Sequence, residues 1–426
     1  MDIMKLLILT TYYPPEVNAA SVRMSQIVKR FSHKGEDIEH IRVIAFNPLY
    51  KCEIGVTKQE NAEVIRHTRK ILPAFVFMPQ SLNPLTLIAW TYISLKGIVK
   101  YNPDVILATT PPFAPAIASY IASKILNKPY IIDYRDDLTS VIDSIAETKK
   151  FYTRYPLKVA NKFVSVLLSH SLKRASLVST VNERLQEKLL NLNRNVILVP
   201  NGIDVRELNE VKENFDRKKV LTKNGISFSE DSVFVVYVGD LNMPYYMPEV
   251  LLEPLKSLLK DGYDARYILI GDGERKKPIK KMITEMGMED VVFLVGKKDH
   301  REVLELLLAG NVAFYSLQKN DPQSRHAIGA KVYEYIGCGL PILVLSDAGS
   351  AVSELVKRYD VGVFVNWNEL DGMGSALREL LDSTKYAQNI RLHYPYFIDK
   401  FDRNRGMDSL HDRVKTLISE ETSVRT

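Results

Sequence analysis

The sequence of 426 residues has little that would build a disulfide framework, a metal cluster or a membrane anchor. Its two cysteines, Cys52 and Cys338, cannot form a disulfide scaffold, which favours a reducing compartment. No His, Cys and carboxylate residues occur at the spacing typical of metal ligands. The longest uncharged stretch, residues 71–95, is interrupted by three prolines, whereas a membrane-spanning helix needs about 20 mostly apolar residues. The sequence therefore argues against a membrane span, and it leaves a shallow membrane-contacting segment open.

Targeting and repeat signals are also lacking. Residues 4–10 are apolar but too few for a signal peptide, and they are better interpreted as a first buried strand. There is no internal repeat and no low-complexity tract. We expect a cytoplasmic protein, with the inner face of the cell membrane as an open alternative.

Charge is unevenly distributed along the chain. The net charge is +6, but residues 1–200 hold 26 Lys and Arg against 16 Asp and Glu, and the remainder holds 31 against 35. The basic first half favours an anionic surface or substrate, with scattered solvated lysines as the alternative. We expect no nucleic-acid partner. Residues 157–175 form a basic amphipathic helix, which can lie on anionic lipid or pack on a sheet. Core packing is expected for its apolar face.

Short apolar runs alternate with helical patterns in both halves, which is typical of parallel sheets covered by helices. The fold class is therefore α/β, with two Rossmann-like doubly wound domains. We expect the first domain at residues 1–200 and the second at 201–399, with a C-terminal helix at about 400–426 packing back on the first. Ligands of such sheets bind beyond the carboxyl ends of the strands, so two such edges facing a cleft would suit transfer between two substrates. The predicted strands are 6–9, 41–45, 105–108, 130–132, 177–179, 196–199, 233–238, 267–270, 291–295, 312–315, 342–345 and 362–365.

The segment from His326 to Pro341 carries the clearest candidate site. Gly329 precedes a helix-prone run, whose first-turn N–H groups and positive dipole end attract an anion such as a diphosphate. Lys331 adds a charge, and Glu334 lies one turn later, where a carboxylate suits the hydroxyls of a ribose. A buried α/β connection with a solvated Lys–Glu pair is the alternative. The predicted backbone donors are those of Ile328, Gly329, Ala330 and Lys331.

Five segments together resemble the GT-B glycosyltransferases, and among them the large retaining group called family four. In chain order they are Tyr-Tyr-Pro-Pro-Glu at 12–16, Val-Pro-Asn-Gly-Ile-Asp at 199–204, Tyr-Val-Gly at 237–239, Ile-Gly-Asp-Gly at 270–273 and the segment 329–341. Each motif alone is weak, whereas their order and spacing cover almost the whole chain. The resemblance implies the GT-B fold, a nucleotide-sugar donor bound by the second domain and an acceptor bound by the first.

The chain departs from the family pattern at several positions. The family often has two glutamates eight residues apart; Glu334 matches the second, which holds the donor ribose, and His326 stands in place of the first. A subset with a Lys-x-x-Glu-Tyr motif, which includes transferases of N-acetylated sugars onto lipid-linked acceptors, resembles this pattern. The family's Arg and Lys after Gly239 are lacking, since Asp240 follows and 241–249 holds no cation. The resemblance then leaves the diphosphate to Lys331, Arg325 and backbone N–H groups.

Further candidate residues are implied by the same resemblance, each with an alternative. Asp136 occupies the place of an acceptor-side catalytic residue, where it would orient or deprotonate the acceptor hydroxyl; a helix N-cap is the alternative. His326 would donate to a sugar hydroxyl or the β-phosphate, or lies in water. Lys297 would lie near the nucleobase, although the sequence favours a solvated lysine. Ala19 and Ala20 stand in place of a family Gly-Gly pair close to the donor, and Asn18 precedes them.

We therefore expect a retaining glycosyltransferase, hexosyl- or N-acetylhexosaminyl-type, that acts in surface polysaccharide or glycoconjugate synthesis. The donor would be a UDP-linked sugar bound as substrate, without a cofactor or metal, and the acceptor a glycan or lipid-linked hydroxyl. A peripheral contact with anionic membrane is expected. Two alternatives stay open: a catalytically weak or inactive GT-B protein that binds nucleotide sugars, and a nucleotide-sugar 2-epimerase.

Overall fold

The computed structural model describes residues 5–16, 18–34, 40–46, 55–59, 62–67, 82, 84–147, 149–243, 246–321 and 324–425. The chain forms two compact units, Met1–Pro200 with Asn404–Thr426, and Asn201–Arg403. The chain passes from the first unit to the second within the segment 199–204, where the sequence carries Asn-Gly turn chemistry.

The first unit contains an eight-stranded sheet in the order β3-β4-β2-β1-β5-β6-β7-β8, parallel except for the antiparallel pair β3 and β4. Its central strands are nearly continuous apolar runs because helices cover both faces. The strands are β1 (Lys5–Thr10), β2 (His40–Phe46), β3 (Gly55–Gln59), β4 (Ala62–His67), β5 (Val105–Thr110), β6 (Tyr130–Tyr134), β7 (Leu177–Thr180) and β8 (Val196–Leu198). The helices are α1 (Ala19–Lys34), α2 (Pro84–Tyr101), α3 (Ala114–Leu126), α4 (Leu138–Glu147), α5 (Phe151–Arg174) and α6 (Glu183–Leu190).

The second unit contains a six-stranded parallel sheet in the order β11-β10-β9-β12-β13-β14. Its strands are β9 (Val233–Val238), β10 (Ala265–Ile270), β11 (Val292–Gly296), β12 (Val312–Ser316), β13 (Ile342–Ser346) and β14 (Gly362–Asn366). Its helices are α7 (Val205–Glu213), α8 (Arg217–Lys223), α9 (Leu252–Lys260), α10 (Lys276–Glu285), α11 (His300–Ala309), α12 (Ala330–Gly337), α13 (Ala351–Tyr359), α14 (Met373–Asp382), α15 (Lys385–Leu392) and α16 (Tyr394–Phe401). The α/β fold with two Rossmann-like sheets, as predicted, is confirmed.

The last helix, α17 (Arg403–Arg425), packs on the first unit. Its Met407, Leu410 and Val414 are buried in the same core cluster as Leu6 of β1. Arg30 of α1 also donates two hydrogen bonds to the Asp408 carboxylate, at 2.6 and 2.7 Å. The chain end is therefore part of the first unit's core although it follows the whole second unit.

Several elements were not predicted from the sequence. The β3–β4 pair is short, and β3 exposes Val56, Thr57 and Lys58, so it has no apolar run. Helices α4, α7 and α8 were also not predicted from the sequence; α7 and α8 lie in a polar stretch rich in charged residues. In the uncharged segment 71–95, residues 71–81 lie outside the described residues. From Pro84 onward the segment forms the first two thirds of α2.

Candidate functional site in the second unit

The candidate donor helix, α12, begins at the carboxyl edge of the second sheet. It follows β12 and a loop, and Gly329 is its N-cap, without a side-chain cap. A Cβ at Gly329 would lie 2.7 Å from the Tyr315 hydroxyl, so only glycine allows this close approach of the loop to β12. Helix α12 ends at Gly337, and Gly339 has a positive φ of 82° before β13 begins.

Buried tyrosines hold α12 against the neighbouring strands. The Tyr335 hydroxyl accepts a hydrogen bond from the backbone N–H of Val238, at 3.0 Å, so α12 is tied to the end of β9. Tyr246 packs edge-on against Tyr315, with ring centroids 6.0 Å apart. These contacts bring the loop after Gly239 next to the start of α12, as a nucleotide site would need.

Glu334 is the most constrained candidate residue. It is buried, with 4% exposure, and its carboxylate is ion-paired. Lys331 Nζ lies 2.8 Å from its Oε2 and His300 Nε2 lies 3.2 Å from its Oε1. Burial alone would raise the pKa of Glu334, but the hydrogen bond from His300 and the charge of Lys331 lower it to about 2. The carboxylate is therefore ionised across the physiological range.

His300 is a site residue that the sequence analysis missed. It is the first residue of α11, whose N-cap Asp299 accepts a hydrogen bond from the Glu302 N–H. Its Nδ1 lies 2.8 Å from Glu207 Oε2, so the ring bridges Glu207 and Glu334. These carboxylates are 93 and 34 positions away in the chain, and no local pattern indicates the contact.

The His300 bridge predicts a pH-dependent stability. The hydrogen bond to Glu334 raises the pKa of His300 above 6.5, against the opposing effects of burial and Lys331. A raised folded-state pKa means that the bridge stabilises the protein fully below pH 6.5 and loses this effect as the pH rises through the folded-state value. The difference in Tm between wild type and His300→Gln should thus be largest at acidic pH and shrink above neutrality. A difference that is constant from pH 5 to pH 9 would contradict this prediction.

The loop after β9 lacks the cations of the family pattern, as its sequence indicates. Asp240 is exposed, and its carboxylate accepts hydrogen bonds from the backbone and side chain of Asn242, at 2.9 and 3.0 Å. The positive charge near this loop comes from Arg275, at the start of α10. Arg275 donates to the Tyr246 carbonyl and pairs with Glu249. Asp240 therefore organises the loop, and the nearby positive charge is already paired.

The remaining predicted donor residues lie around this helix. Arg325 is exposed and His326 half-buried, in the turn that precedes Gly329. Ile328 packs partly against the core of the second unit, and Ala330 opens α12. Lys297 is exposed in the loop that leads from β11 to His300, so this loop ends at the Glu334 carboxylate. Lys331 and Glu334 are in direct contact.

Cys338 plays a packing role. Its side chain is half-buried against the core of the second unit, directly after α12. Burial raises the pKa of its thiol well above the ordinary value. A protonated thiol is unreactive, in keeping with its interpretation as a packing residue.

Candidate functional site in the first unit

Asp136 and Asp137 follow β6 at the carboxyl edge of the first sheet, and they have different environments. Asp137 is buried and accepts hydrogen bonds from the Thr139 and Ser140 hydroxyls and from Lys188. Burial would raise the pKa of Asp137, but Lys188 and Ser140 hold it at about 2. Asp137 therefore fills the helix-capping role at α4, the alternative considered for Asp136.

Asp136 is left at the edge of the sheet. Part of the residue reaches solvent, but the surrounding protein removes enough water from its carboxylate to raise its pKa. Arg135 opposes this shift and Asp133 adds to it. A carboxylate with a raised pKa at a strand's carboxyl end is placed as a general base would be.

A buried ion pair stabilises this edge of the sheet. Arg23 of α1 donates from Nε and Nη2 to Asp133, at 2.9 and 2.8 Å, and the Ser179 hydroxyl donates to the same carboxylate at 2.8 Å. Burial would raise the pKa of Asp133, but Arg23 lowers it. Arg135 is also buried, and its Nη2 donates to the Pro111 carbonyl at 2.6 Å. None of these three charged residues was a predicted site residue, because burial and pairing are tertiary properties.

The first strand's motif lies near the same edge. Arg135 lies close enough to Tyr12 to lower the pKa of its hydroxyl, although burial raises that pKa overall. Asn18 is exposed and accepts a hydrogen bond from the Ser21 N–H at 2.8 Å, which caps α1, and Ala19 is the exposed first residue of that helix. Tyr12, Asn18, Ala19 and Asp136 thus belong to the first unit, whereas the other candidates belong to the second.

Among the described residues, no three His, Cys, Asp or Glu side chains are grouped so that they could hold a metal ion. Of the helices in the described part of the chain, not one is long and apolar enough to cross a membrane.

Comparison with known proteins places this geometry in a family context. Residues 220–392 match the family model described as Glycosyl transferases group 1. The chain is 22% identical over 227 residues to N-acetyl-alpha-D-glucosaminyl L-malate synthase of Bacillus anthracis, covering 53% of this chain and 55% of that protein. It is 20% identical over 300 residues to alpha-monoglucosyldiacylglycerol synthase of Acholeplasma laidlawii, covering 70% and 72%. The chain thus aligns with only about half the length of the Bacillus relative.

Solved structures extend the comparison over the whole chain. Anabaena HepE in complex with UDP has a TM-score of 0.62 at 17% identity, covering 97% of this chain and all of that one. At this identity the likeness shows the fold. The chain therefore has the GT-B fold, and its residues 220–392 match the glycosyl transferases group 1.

Proposed function

We propose that the chain is a retaining glycosyltransferase that moves a sugar from a UDP-linked donor to a hydroxyl of a glycan or lipid-linked acceptor. The observation that carries this proposal is the buried, ionised Glu334 beside Lys331 on α12. A carboxylate whose pKa is about 2 accepts hydrogen bonds from both hydroxyls of a ribose at any physiological pH. Its two oxygens have further lone pairs beyond those that His300 and Lys331 occupy.

The diphosphate would lie at the start of α12. The first-turn N–H groups of a helix have no acceptor within the helix, and the dipole there favours negative charge. The Lys331 charge lies on the same turn. As the bond to the sugar breaks, negative charge develops on the leaving diphosphate, and these fixed donors stabilise it without reorganisation. Asp240 adds a negative charge to the neighbouring loop and Arg275 is already paired with Glu249, so the proposed diphosphate site depends on Lys331 and the backbone N–H groups.

The acceptor would be activated from the first unit. Asp136 is the carboxylate that the capping of α4 leaves available, and it would accept a hydrogen bond from the acceptor hydroxyl. Its raised pKa brings it closer to the operating pH, at which a general base is most effective. The family resemblance implies that the hydroxyl attacks the face from which the diphosphate leaves.

The relatives support the choice of substrates. HepE was solved with UDP, which supports a uridine nucleotide as the donor's leaving group. The Acholeplasma relative is named for a glucosylated diacylglycerol, which supports a lipid acceptor. The Bacillus relative is named for an N-acetylglucosaminyl group, which supports a donor sugar of hexosyl or N-acetylhexosaminyl type.

Incubation of the pure protein with UDP-sugars, with and without a lipid extract, tests the proposal. We expect a glycosylated lipid and stoichiometric UDP release when the extract is present, and at most slow hydrolysis of the donor alone. An epimerase would convert the donor sugar without any acceptor. Binding of UDP with no turnover in either arm would instead identify an inactive GT-B protein, which the Asp240 departure motivates.

Turnover should survive removal of divalent metal ions. The expectation rests on the proposed electrostatic cradle of Lys331 and the α12 N–H groups, which already supplies charge stabilisation at the leaving group. Initial rates measured with and without EDTA should agree within a factor of two or so. Loss of activity in EDTA that added Mg²⁺ or Mn²⁺ restores would show that a metal ion carries this task.

A further inference from the structure

Helix α5 has two apolar faces, and only one is buried. Leu157, Val164 and Leu168 belong to the core of the first unit. A second set recurs every three or four residues on the opposite side, so it forms one continuous line along the helix. We call it the α5 stripe; its members, with exposures from 46% to 69%, are Tyr152, Tyr155, Val159, Phe163 and Val166.

The same arrangement occurs on α2. Trp90, Ile93 and Ile98 pack into the core, while the opposite side exposes a second line of apolar residues. Helix α3 contacts both α2 and α5, and α4 contacts α5, so the four helices are neighbours. The exposed apolar residues of α2 are Leu85, Ile88, Tyr92 and Val99.

Such a concentration distinguishes these helices from the rest of the surface. Twelve of the twenty large exposed hydrophobic side chains in the described part of the chain lie on α2–α5. Single exposed hydrophobic residues are normal, whereas a contiguous set indicates an interaction surface. The helix residues also include Tyr92, Tyr152 and Tyr155, whose rings combine an apolar body with a polar tip, as at membrane interfaces.

The charge on these helices has one dominant sign. They carry eight Lys or Arg against two acidic residues, Asp143 and Glu147. Glu147 pairs with Arg154 and Lys158, so part of the negative charge is already neutralised. The other basic residues are exposed: Lys96, Lys100, Lys124, Lys162, Lys173 and Arg174.

We propose that the exposed apolar and basic face of α2–α5, which we call the α2–α5 face, docks on an anionic lipid bilayer. The apolar lines would enter the headgroup region, and the lysines, whose long side chains can reach back toward the surface, would contact lipid phosphates. This proposal rests on the proposed function, because docking would bring a lipid-linked acceptor to the unit that contains Asp136.

A second copy of the chain fits this face less well. A two-fold dimer would set the α2–α5 face against itself and so bring two sets of like charges together. Eight basic residues against two acidic ones make that contact repulsive, whereas an anionic bilayer attracts the same charges. Charge complementarity therefore selects the bilayer.

Vesicle co-sedimentation of the full-length protein tests the proposal. The vesicles are phosphatidylcholine alone or an equal mixture with phosphatidylglycerol, at about 0.1 M and about 1 M salt, where the screening length falls from roughly 10 Å to roughly 3 Å. The test variant is Tyr155→Ser/Phe163→Ser. The control is Leu392→Ser on α15, which removes a residue of 75% exposure from the second unit.

We expect wild type and the control to sediment with the anionic vesicles, more strongly at low salt. The double variant should partition at least about ten-fold more weakly, since the burial of even one aromatic ring contributes roughly that factor. Replacing Lys162 and Lys173 by Glu should weaken binding by at least about five-fold per residue at low salt only. UDP affinity, measured on the same variants, should be unchanged, because the α2–α5 face contains no donor residue.

Three results would overturn the docking proposal. Wild type that stays in the supernatant with every vesicle excludes it, as does a double variant that sediments like wild type. A wild-type dimer that becomes monomeric in the double variant, without vesicle binding, would assign the face to a second copy. Because vesicle binding requires no turnover, these results are distinct from failure of the transferase assay, in which UDP-sugar turnover is absent whether or not the protein sediments.

Discussion

Replacing Asp136 with asparagine is expected to lower kcat about 10²–10⁴-fold while the affinity for UDP stays at its wild-type value. General base catalysis contributes a factor of this size. Asparagine keeps the size of the side chain and its ability to form hydrogen bonds, but its amide cannot act as a base. Since Asp136 is partly exposed and does not cap α4, the substitution should leave stability nearly unchanged. Initial rates with saturating donor and calorimetric UDP titrations measure both quantities.

The adjacent carboxylate provides a matched control. Asp137→Ala removes the acceptor for Thr139, Ser140 and Lys188, so it should lower Tm, with a loss of roughly 0.5–2 kcal/mol in stability typical of a lost cap. Its effect on kcat should be far smaller than that of Asp136→Asn. If Asp136→Asn turns over like wild type, or if Asp137→Ala is the more damaging change in kcat, the assignment of Asp136 is wrong.

Replacing Glu334 with alanine should weaken UDP binding roughly 10²–10⁴-fold. Hydrogen bonds to a charged group are each worth about 1.5–3 kcal/mol, and the carboxylate is proposed to accept from two ribose hydroxyls. The substitution also leaves Lys331 and His300 without their shared partner, so the phosphate-side charge is no longer held in place. Isothermal titration of UDP into the variant measures the loss directly.

Glu334→Gln separates charge from shape at this position. Glutamine fills the same buried space and offers one carbonyl oxygen, so we expect an affinity between those of wild type and the alanine variant. UMP and uridine should lose similar factors with Glu334→Ala, because the ribose is common to all three ligands. A loss confined to UDP would instead place Glu334 at the diphosphate, and an unchanged Kd for every ligand would remove it from the site.

The sequence predicted helix α12 itself well because its determinants are local. Gly329, Lys331 and Glu334 lie within six residues, and their spacing alone places them on one helix after a strand. The partners of Glu334 are different in this respect. Lys331 is a local neighbour and was predicted, whereas His300 and Glu207 reach the same network from other helices and were not.

The two apolar faces of α5 show a second limit of predicting structure from sequence periodicity. Periodicity identifies an apolar line but not which of two lines the core covers. Residues 157–175 were expected to bury one apolar face; Leu168 is indeed buried, whereas Val159, Phe163 and Val166 are exposed. The helix also begins six residues earlier than predicted, at Phe151, and this added turn carries the exposed Tyr152 and Tyr155.

Asp136 and Asp137 illustrate a third limit. From the sequence, a catalytic role and a helix cap were alternatives for one residue. In the structure Asp137 accepts the hydrogen bonds at the start of α4. Asp136 does not cap the helix and lies at the sheet edge. Which of two adjacent carboxylates caps a helix depends on backbone direction after β6, which no residue pattern specifies.

A thermal-shift measurement of the wild-type protein with nucleoside diphosphates tests the central claim most directly. A ligand that binds only the folded state at 100 times its Kd stabilises the protein by about 2.7 kcal/mol, which raises Tm by several degrees. The account predicts that UDP raises Tm, that other nucleoside diphosphates do so less, and that the UDP shift is lost in Glu334→Ala. If no nucleoside diphosphate or UDP-sugar raises Tm at millimolar concentration, the second unit is not a nucleotide-sugar site and the account fails.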